Sequence, residues 1–168
     1  MSNNKTAPGE GDSSPKEDRN NWSVQQWTEY AKAGNKDLEG ANFWCANLEC
    51  AHLKSANLKG ANLWCAILEC ANLKGANLEG ANLEGAHLKG ANLEGANLWD
   101  ASLRSATLKG AWLGGTNLGG ADLWDANLEG ATLRDANLWG ANLRKANLKG
   151  ANLKGHDLDD LRKRVAGF

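Results

Sequence analysis

Four cysteines form the densest group of reactive side chains in the sequence, and they recur at fixed spacings. They are Cys45, Cys50, Cys65 and Cys70. Thiols can pair as disulfides, ligate zinc or act as nucleophiles. The C-x4-C and C-x14-C spacings match no common zinc pattern, so we predict no metal site. What else the thiols can do depends on the structure that positions them.

Tryptophan is the second unusual feature, with 8 copies in a chain of 168 residues. Five of them recur at the fourth position of a five-residue repeat: Trp44, Trp64, Trp99, Trp124 and Trp139. Exposed tryptophan is concentrated at protein–protein binding sites, so these five are candidate partner-binding residues. In the alternative interpretation, each ring lies flat over neighbouring lysine and arginine side chains. The sequence leaves both interpretations open.

No combination of residues predicts catalysis. The three histidines, His52, His87 and His156, occur in different columns of the repeat, and none is near a matching nucleophile. The glycines recur every five residues, which is typical of structural turns rather than of a phosphate-binding loop. We therefore predict a protein that is not an enzyme, with no catalytic residue and no cofactor.

The elements that position these side chains are repeats of five residues. From Lys36 to Asp160 the chain divides into 25 pentads, of which "ANLEG" is typical. The first residue is Ala in 22 pentads and the third is Leu in 24. Five residues advance an α-helix by about 500°, so successive leucines would spiral around the helix. On a straight strand, side chains alternate between two faces, so leucines five residues apart would lie on opposite faces. Neither structure buries all the leucines on one side. A short strand followed by a glycine corner winds the chain into a coil with Ala and Leu inside.

Four pentads fit one turn of this coil. The Trp-Cys dipeptide at 44–45 recurs at 64–65, as expected if residues twenty apart lie above one another. A recent duplication of a twenty-residue segment would give the same recurrence. Stacked strands lie about 4.8 Å apart, which suits a disulfide. Two alternatives therefore stay open for the thiols: free, or oxidised as the pairs Cys45–Cys65 and Cys50–Cys70.

The pattern A-[N/D]-L-x-x resembles the pentapeptide-repeat family over 125 of the 168 residues. The resemblance implies an all-β solenoid, a right-handed quadrilateral β-helix with four pentads per coil. The 25 pentads then make about six coils. In this arrangement the second-position side chains form outward columns, and stacked Asn amides can form a hydrogen-bonded ladder. One such column contains Asp37, Asn57, Asn77, Asn97, Asn117, Asn137 and Asp157.

A helix is predicted to cap each end of this solenoid, which covers residues 36–160. Residues 1–21 are polar and predict a disordered tail. In residues 22–35, Ser23 and Gln26 form a capping box at the start of a helix. The C-terminal cap is predicted for residues 161–168. This end has an apolar stripe that either covers the last coil or pairs with a second copy of the chain: Leu158, Leu161, Val165 and Phe168. The resemblance also implies a homodimer through this end.

The charge and hydropathy of the sequence limit the partners and the cellular compartment that we expect for the protein. The net charge is −1, which argues against a dedicated nucleic-acid binder. No apolar run approaches the roughly 18 to 20 residues of a membrane span, so we expect no membrane association. The polar N-terminus lacks the apolar core of a signal peptide. The sequence therefore predicts a cytoplasmic protein.

Three functions are compatible with these features. The first is a non-catalytic interaction scaffold that presents columns of outward side chains to an unknown protein partner. The resemblance also implies a DNA mimic that acts on a DNA-binding enzyme such as gyrase, although residues 36–160 carry 15 acidic and 12 basic residues, which weakens this analogy. The third is a substrate for modification at the Cys and Trp positions. Within the scaffold hypothesis, Gly119 leaves a gap between Trp99 and Trp139 that admits a flat group, unless the two rings fill it themselves.

Overall fold

The computed structural model describes residues 19–166 as a stack of pentad coils with a helix near each end. A 3-10 turn, Arg19–Asn21, precedes helix α1, Val24–Lys32, and helix α2, Leu158–Ala166, follows the coils. Most of the predicted tail, and Phe168 of the predicted apolar stripe, lie outside the described residues. Arg19–Asn21, which the sequence placed in the disordered tail, instead form an ordered turn.

The coils contain four pentads each. The described β-bridges are parallel and join second-position residues that are twenty apart, from Asp37 with Asn57 to Thr132 with Asn152. Each pentad from residue 36 to residue 155 thus contributes a single bridged residue, which is shorter than the predicted short strand. We number the four faces in chain order. Face 1 holds the pentads that begin at 36, 56, 76, 96, 116 and 136, and faces 2, 3 and 4 begin at 41, 46 and 51.

Backbone hydrogen bonds connect each coil with the coils before and after it. The second N–H of a pentad donates to the preceding coil, and the third and fifth donate to the following coil, as Leu58 N–H does to the Asn77 carbonyl at 2.7 Å. The first N–H donates across the corner to the preceding leucine, as Ala61 does to Leu58 at 3.0 Å. In the described coils that have a neighbouring coil on both sides, only the fourth N–H finds no backbone acceptor. The fold therefore needs a side chain, or solvent, at that one position.

The fourth N–H is satisfied by the second residue of its own pentad wherever that residue is Asn. Each of these Asn side chains accepts the bond through Oδ1, as Asn117 does from Gly119 at 3.2 Å. The same geometry occurs at Asp122, which accepts from Trp124 at 3.1 Å. This local side-chain bond closes the turn, and it explains why Asn dominates the second position.

The predicted amide ladder runs along face 1, but its two ends differ from the expectation. Each Asn Nδ2 from Asn77 to Asn137 donates to the Asn Oδ1 one coil before it, at 2.9–3.4 Å. At the first end, Asp37 instead pairs with Arg19 at 3.2 Å. At the other end, Asp157 accepts the N–H groups at the start of α2. The ladder is thus confirmed from Asn57 to Asn137, whereas Asp37 and Asp157 lie outside it and bond to other groups.

Leucine and alanine fill the interior, as the repeat predicts. From Leu38 to Leu143 the first and third positions are at most 7% exposed. Each buried leucine contributes on the order of 1.5–3 kcal/mol of hydrophobic stabilisation. Thr116 is the one buried polar side chain within the described repeats, and its hydroxyl donates to the Leu93 carbonyl at 2.9 Å. This hydrogen bond offsets the cost of removing the hydroxyl from water.

Helix α1 packs on the first coil. The predicted capping box is confirmed, because Ser23 and Gln26 exchange bonds in both directions. The rings of Trp22 and Trp27 lie 5.0 Å apart, as a hydrophobic staple requires. Trp27 is 6% exposed and its ring lies 6.3 Å from that of Phe43. These contacts cover the first coil with apolar side chains.

Helix α2 begins earlier than the sequence predicted, inside the last pentad at Leu158, because Asp157 accepts its first N–H groups. Leu161 is 3% exposed, whereas Leu158 is 49% exposed, so the predicted apolar stripe does not face the coil as a unit. Arg164 donates to the carbonyls of Leu138 and Ala141, both at 2.7 Å. The arginine thus attaches α2 to the last coil.

Candidate functional site: tryptophan stacks on two faces

Two tryptophans form a stacked pair on face 2. Trp44 and Trp64 are fourth-position residues of successive coils, and their ring centroids lie 5.9 Å apart at an interplanar angle of 14°. Trp44 is 53% exposed, while Trp64 is half-buried. The stack therefore holds an exposed indole in a fixed orientation on a hydrogen-bonded backbone.

A second stack on face 1 spans two coils. The rings of Trp99 and Trp139 lie 5.8 Å apart at 13°, although their backbones are two coils apart. A Cβ placed on Gly119, in the coil between them, would overlap Cζ3 of Trp99. The Trp99 ring thus covers Gly119 and fills the space where the sequence allowed a gap for a flat group. That gap is absent, because ring-on-ring contact closes it. Trp139, which is 71% exposed, forms the outer surface.

Trp124 lies on face 2 but belongs to neither stack. The guanidinium of Arg104 and the ammonium of Lys145 each lie 4.8 Å from its ring centroid. Cations on an indole contribute about 0.5–2 kcal/mol depending on their exposure. This is the alternative arrangement that the sequence left open, and it holds for this ring. Trp124 therefore offers a partner less free aromatic surface than Trp44 or Trp139 does.

The cysteines occupy stacked corners on two neighbouring faces, where their φ angles lie between 51° and 55°. All four are free thiols. Loss of hydration, followed by the Cys70 thiol and Glu49, raises the pKa of Cys50. Loss of hydration, followed by the Cys45 thiol, raises the pKa of Cys65. These two thiols thus become thiolates only at a higher pH than usual. Disulfide pairing of stacked cysteines stays a prediction.

The histidines do not assemble a site. His52 and His87 are second-position residues on different faces, and a ring nitrogen of His156 lies 2.8 Å from the Leu133 carbonyl. Over residues 19–166, no group of three His, Cys, Asp or Glu side chains has an arrangement that could hold a metal ion. Within the same span, no helix is long and apolar enough to cross a membrane.

Face 4 carries a surface depression that the sequence reasoning missed. Its volume is about 570 Å³, and it lies where Gly114 and Gly115 have no side chains. Trp112 lines it and is 60% exposed. The signal in the sequence was the pentad "AWLGG", which lacks both the second-position Asn and a fourth-position side chain. These two departures do not predict a site by themselves, because the sequence does not show that Arg134 of the next coil lies beside them.

Pentapeptide repeats match the chain in eight copies, over residues 29–60, 46–85, 66–98, 81–120 and 126–160. This match covers more than half of the sequence. The chain belongs to the pentapeptide-repeat family. The fold of such proteins is a right-handed quadrilateral β-helix, which agrees with the twenty-residue register described above. Pentapeptide-repeat proteins generally serve as structural or interaction scaffolds.

Solved structures of pentapeptide-repeat proteins resemble this chain to different degrees. Rfr23 from the cyanobacterium Cyanothece is 40% identical with a TM-score of 0.48, and the match covers 56% of this chain and 60% of Rfr23. A protein from the Arabidopsis thaliana thylakoid lumen is 30% identical with a TM-score of 0.53, over 67% of this chain and 73% of that one. QnrB1, a plasmid-mediated fluoroquinolone resistance protein, is 18% identical with a TM-score of 0.36, over 74% and 81%. No protein of curated function matches the chain.

Proposed function

We propose that this protein is a non-catalytic interaction scaffold that presents its tryptophan stacks to a protein partner. The observation that carries the proposal is the exposure of the outer rings, 53% for Trp44 and 71% for Trp139, each stacked on a second indole. A single exposed apolar side chain needs no explanation, but two ordered stacks on adjacent faces do. Tryptophan is also the residue most enriched among binding hot spots.

The stacks are suited to binding because they are already ordered. Immobilising a flexible side chain at an interface costs about 0.5–1.5 kcal/mol. Trp44 and Trp139 have lost much of that freedom through ring contacts with Trp64 and Trp99. Gly119 contributes by leaving space for the Trp99 ring. Trp124, held between two cations, lies at the edge of the proposed surface.

Affinity capture with matched variants tests this function. The bait is the full chain, compared with Trp44→Lys/Trp139→Lys and with the control Glu84→Lys/Glu79→Lys, which changes fourth-position residues on the same two faces. The control adds at least as much positive charge and leaves the indoles in place. We expect a captured protein to be retained by the control and lost by the tryptophan variant. Equal loss in both variants would show that charge, rather than the stacks, governs capture.

The charges do not favour the DNA-mimic hypothesis. Three Lys–Glu pairs join fourth-position residues of successive coils at 2.9–3.3 Å: Lys59–Glu79, Lys74–Glu94 and Lys109–Glu129. Duplex DNA presents a continuous negative charge, about one per 1.7 Å of axis. A surface on which acids alternate with bases does not reproduce that pattern. The likeness to QnrB1 concerns the fold alone.

Modification at the cysteine and tryptophan positions remains a separate hypothesis. Cys45, Cys50 and Cys70 are exposed at corners, so a modifying enzyme can reach them. The mass of the protein isolated from its source cells tests it. An intact mass equal to that of the bare sequence contradicts the hypothesis, and a heavier mass that peptide mapping assigns to these residues supports it.

The proposed scaffold comprises about six coils, with α1 and α2 as caps, and it dimerises through its C-terminal end. The contacts of Trp27 and Arg164 support the capping roles. The two ends differ, because Phe43 is fully buried whereas Leu148 and Leu153 near the last coil are only partly buried. Light scattering of wild type and Leu158→Lys tests the dimer, which we expect the variant to weaken.

The cytoplasm remains the expected compartment.

A further inference from the structure

The depression on face 4 contains backbone donors that lack acceptors. Where the second residue of a pentad is Asn, its Oδ1 accepts the fourth N–H, but in this pentad Trp112 replaces the Asn. Among the described residues, no acceptor lies within hydrogen-bonding range of the Gly114 N–H. The next pentad on the face has Thr132 at its second position, and the Arg134 N–H likewise has no acceptor there. Two successive coils therefore present open N–H groups.

The charged groups around the depression also leave donors unpaired. Glu94 accepts from Lys74 at 2.9 Å, and Asp135 accepts from Nε of Arg134 at 3.0 Å. The two carboxylates that line the depression are thus engaged. Nη1 and Nη2 of Arg134 have no acceptor among the described residues, and its side chain is 57% exposed. The unpaired donors at this place are the Gly114 and Arg134 N–H groups and the two free guanidinium nitrogens of Arg134.

An exposed aromatic surface lies beside these donors. Trp112 lines the same depression as Gly114 and Arg134 and is 60% exposed. Gly114 is the reason that the backbone is accessible, because a side chain at the fourth position would cover it. Its φ is outside the left-handed region, and an added Cβ would meet only the Arg134 carbonyl, at 3.8 Å. The backbone here does not require glycine, so the missing side chain is not explained by strain.

We propose that this depression binds an acidic peptide segment of a partner protein. A carboxylate oxygen of the peptide accepts the Gly114 and Arg134 N–H groups and takes the place of the missing Asn Oδ1. The guanidinium of Arg134 pairs with the same carboxylate through its two free nitrogens, a geometry that favours carboxylates. An apolar or aromatic neighbour in the peptide packs on Trp112. This site lies on a different face from the tryptophan stacks and does not depend on them.

The surrounding charges favour a peptide over a nucleic acid. A polynucleotide carries a phosphate at every residue and binds through many basic contacts. Arg134 is the one basic residue among those that line the depression, so a continuous phosphate chain finds too few basic contacts here. A single carboxylate needs only the two open N–H groups and the Nη1 and Nη2 atoms that Arg134 keeps free beside its bond to Asp135.

The test uses the full chain labelled with ¹⁵N-glycine and two synthetic peptides. The probe is acetyl-Ser-Glu-Phe-Glu-Ser-amide, and its counterpart carries Gln in place of both Glu. The Gly114 amide resonance is identified by its absence in Gly114→Leu. We expect the acidic peptide to shift this resonance and the Gln peptide to leave it in place. Equal shifts by both peptides, or no shift at about 10 mM acidic peptide, overturn the proposal.

Matched variants assign the effect to named groups. Arg134→Gln should weaken binding of the acidic peptide about tenfold or more, because a hydrogen-bonded charge is lost. Arg144→Gln removes the same charge at a fourth position on face 2 and should leave the affinity unchanged. Trp112→Asn supplies the missing Oδ1 and should abolish binding, whereas Thr107→Asn on face 3 should not. Equal weakening by Arg134→Gln and Arg144→Gln overturns the site. So does a single-stranded DNA oligonucleotide that shifts Gly114 when the acidic peptide does not.

Discussion

Face 1 and face 4 share one backbone but differ in what their outward side chains do. On face 1, Asn amides form an unbroken ladder from Asn57 to Asn137, and each fourth N–H in that range is satisfied. On face 4, His52, Trp112 and Thr132 stand in place of Asn, and the fourth N–H groups of their three pentads have no acceptor among the described residues. The coil keeps its register on both faces, with bridges twenty residues apart. The outward positions are therefore free to change, because the inward residues and the backbone bonds maintain the coil.

The largest effect is expected from placing a charge inside the coil. Leu93 is fully buried, so Leu93→Asp puts a carboxyl group among leucines at a cost of several kcal/mol, about 2–7. Glu94→Lys, one residue further along, changes an exposed group that pairs with Lys74, and it should cost about 1 kcal/mol or less. Thermal unfolding of the two variants measures the difference. Equal losses would falsify the assignment of inward and outward positions.

An intermediate effect is expected in the amide ladder. Asn117 donates to Asn97 and accepts from Asn137, both at 2.9 Å, and it also accepts the Gly119 N–H. Asn117→Ala removes these bonds and should lower the free energy of unfolding by about 1–2 kcal/mol.

Thr132→Ala is the matched control on face 4. The Thr132 side chain has no hydrogen-bond partner among the described residues, so its loss should stay within about 0.5 kcal/mol. Chemical denaturation of both variants provides the values. If Thr132→Ala destabilises the protein as much as Asn117→Ala does, the ladder contributes nothing specific to face 1.

The smallest expected effect concerns the corners of faces 2 and 3, and it tests the register that all four faces share. Under mild oxidation by a disulfide reagent, Cys45 should pair with Cys65, and Cys50 with Cys70, since each pair lies at stacked corners. Peptide mapping identifies the bonds. Dominant pairing of Cys45 with Cys50 would contradict a coil of four pentads.

The sequence predicted those features that each pentad specifies for itself. Alternation of Ala and Leu with outward residues placed Leu93 and Glu94 correctly, and the Trp-Cys echo predicted the twenty-residue register. The capping box of Ser23 and Gln26 was also predictable, because its residues are close in the chain. The alternation and the capping box are local patterns, whereas the register was visible because the Trp-Cys dipeptide itself recurs twenty residues later.

The sequence did not predict contacts that depend on the rotamers of long side chains. Trp99 covers Gly119 because that coil leaves space for its ring, and the sequence alone does not show which way the indole turns. Arg19 and Arg164 reach backbone groups 18 to 26 residues away, at opposite ends of the coils. The depression at Gly114 was missed for the same reason. It forms only when Trp112 and Arg134 from two coils are brought together.

Amide hydrogen exchange at two glycines tests the difference between the faces most directly. Gly114 and Gly119 are both fourth-position residues, and each lies in the same local sequence, Leu-Gly-Gly, so their intrinsic exchange rates match. The Gly119 N–H donates to Asn117 Oδ1 at 3.2 Å, whereas the Gly114 N–H has no acceptor among the described residues. We predict that Gly114 exchanges about tenfold faster or more, since a hydrogen-bonded amide must open before it exchanges. Equal protection of the two amides, or slower exchange at Gly114, would contradict the account.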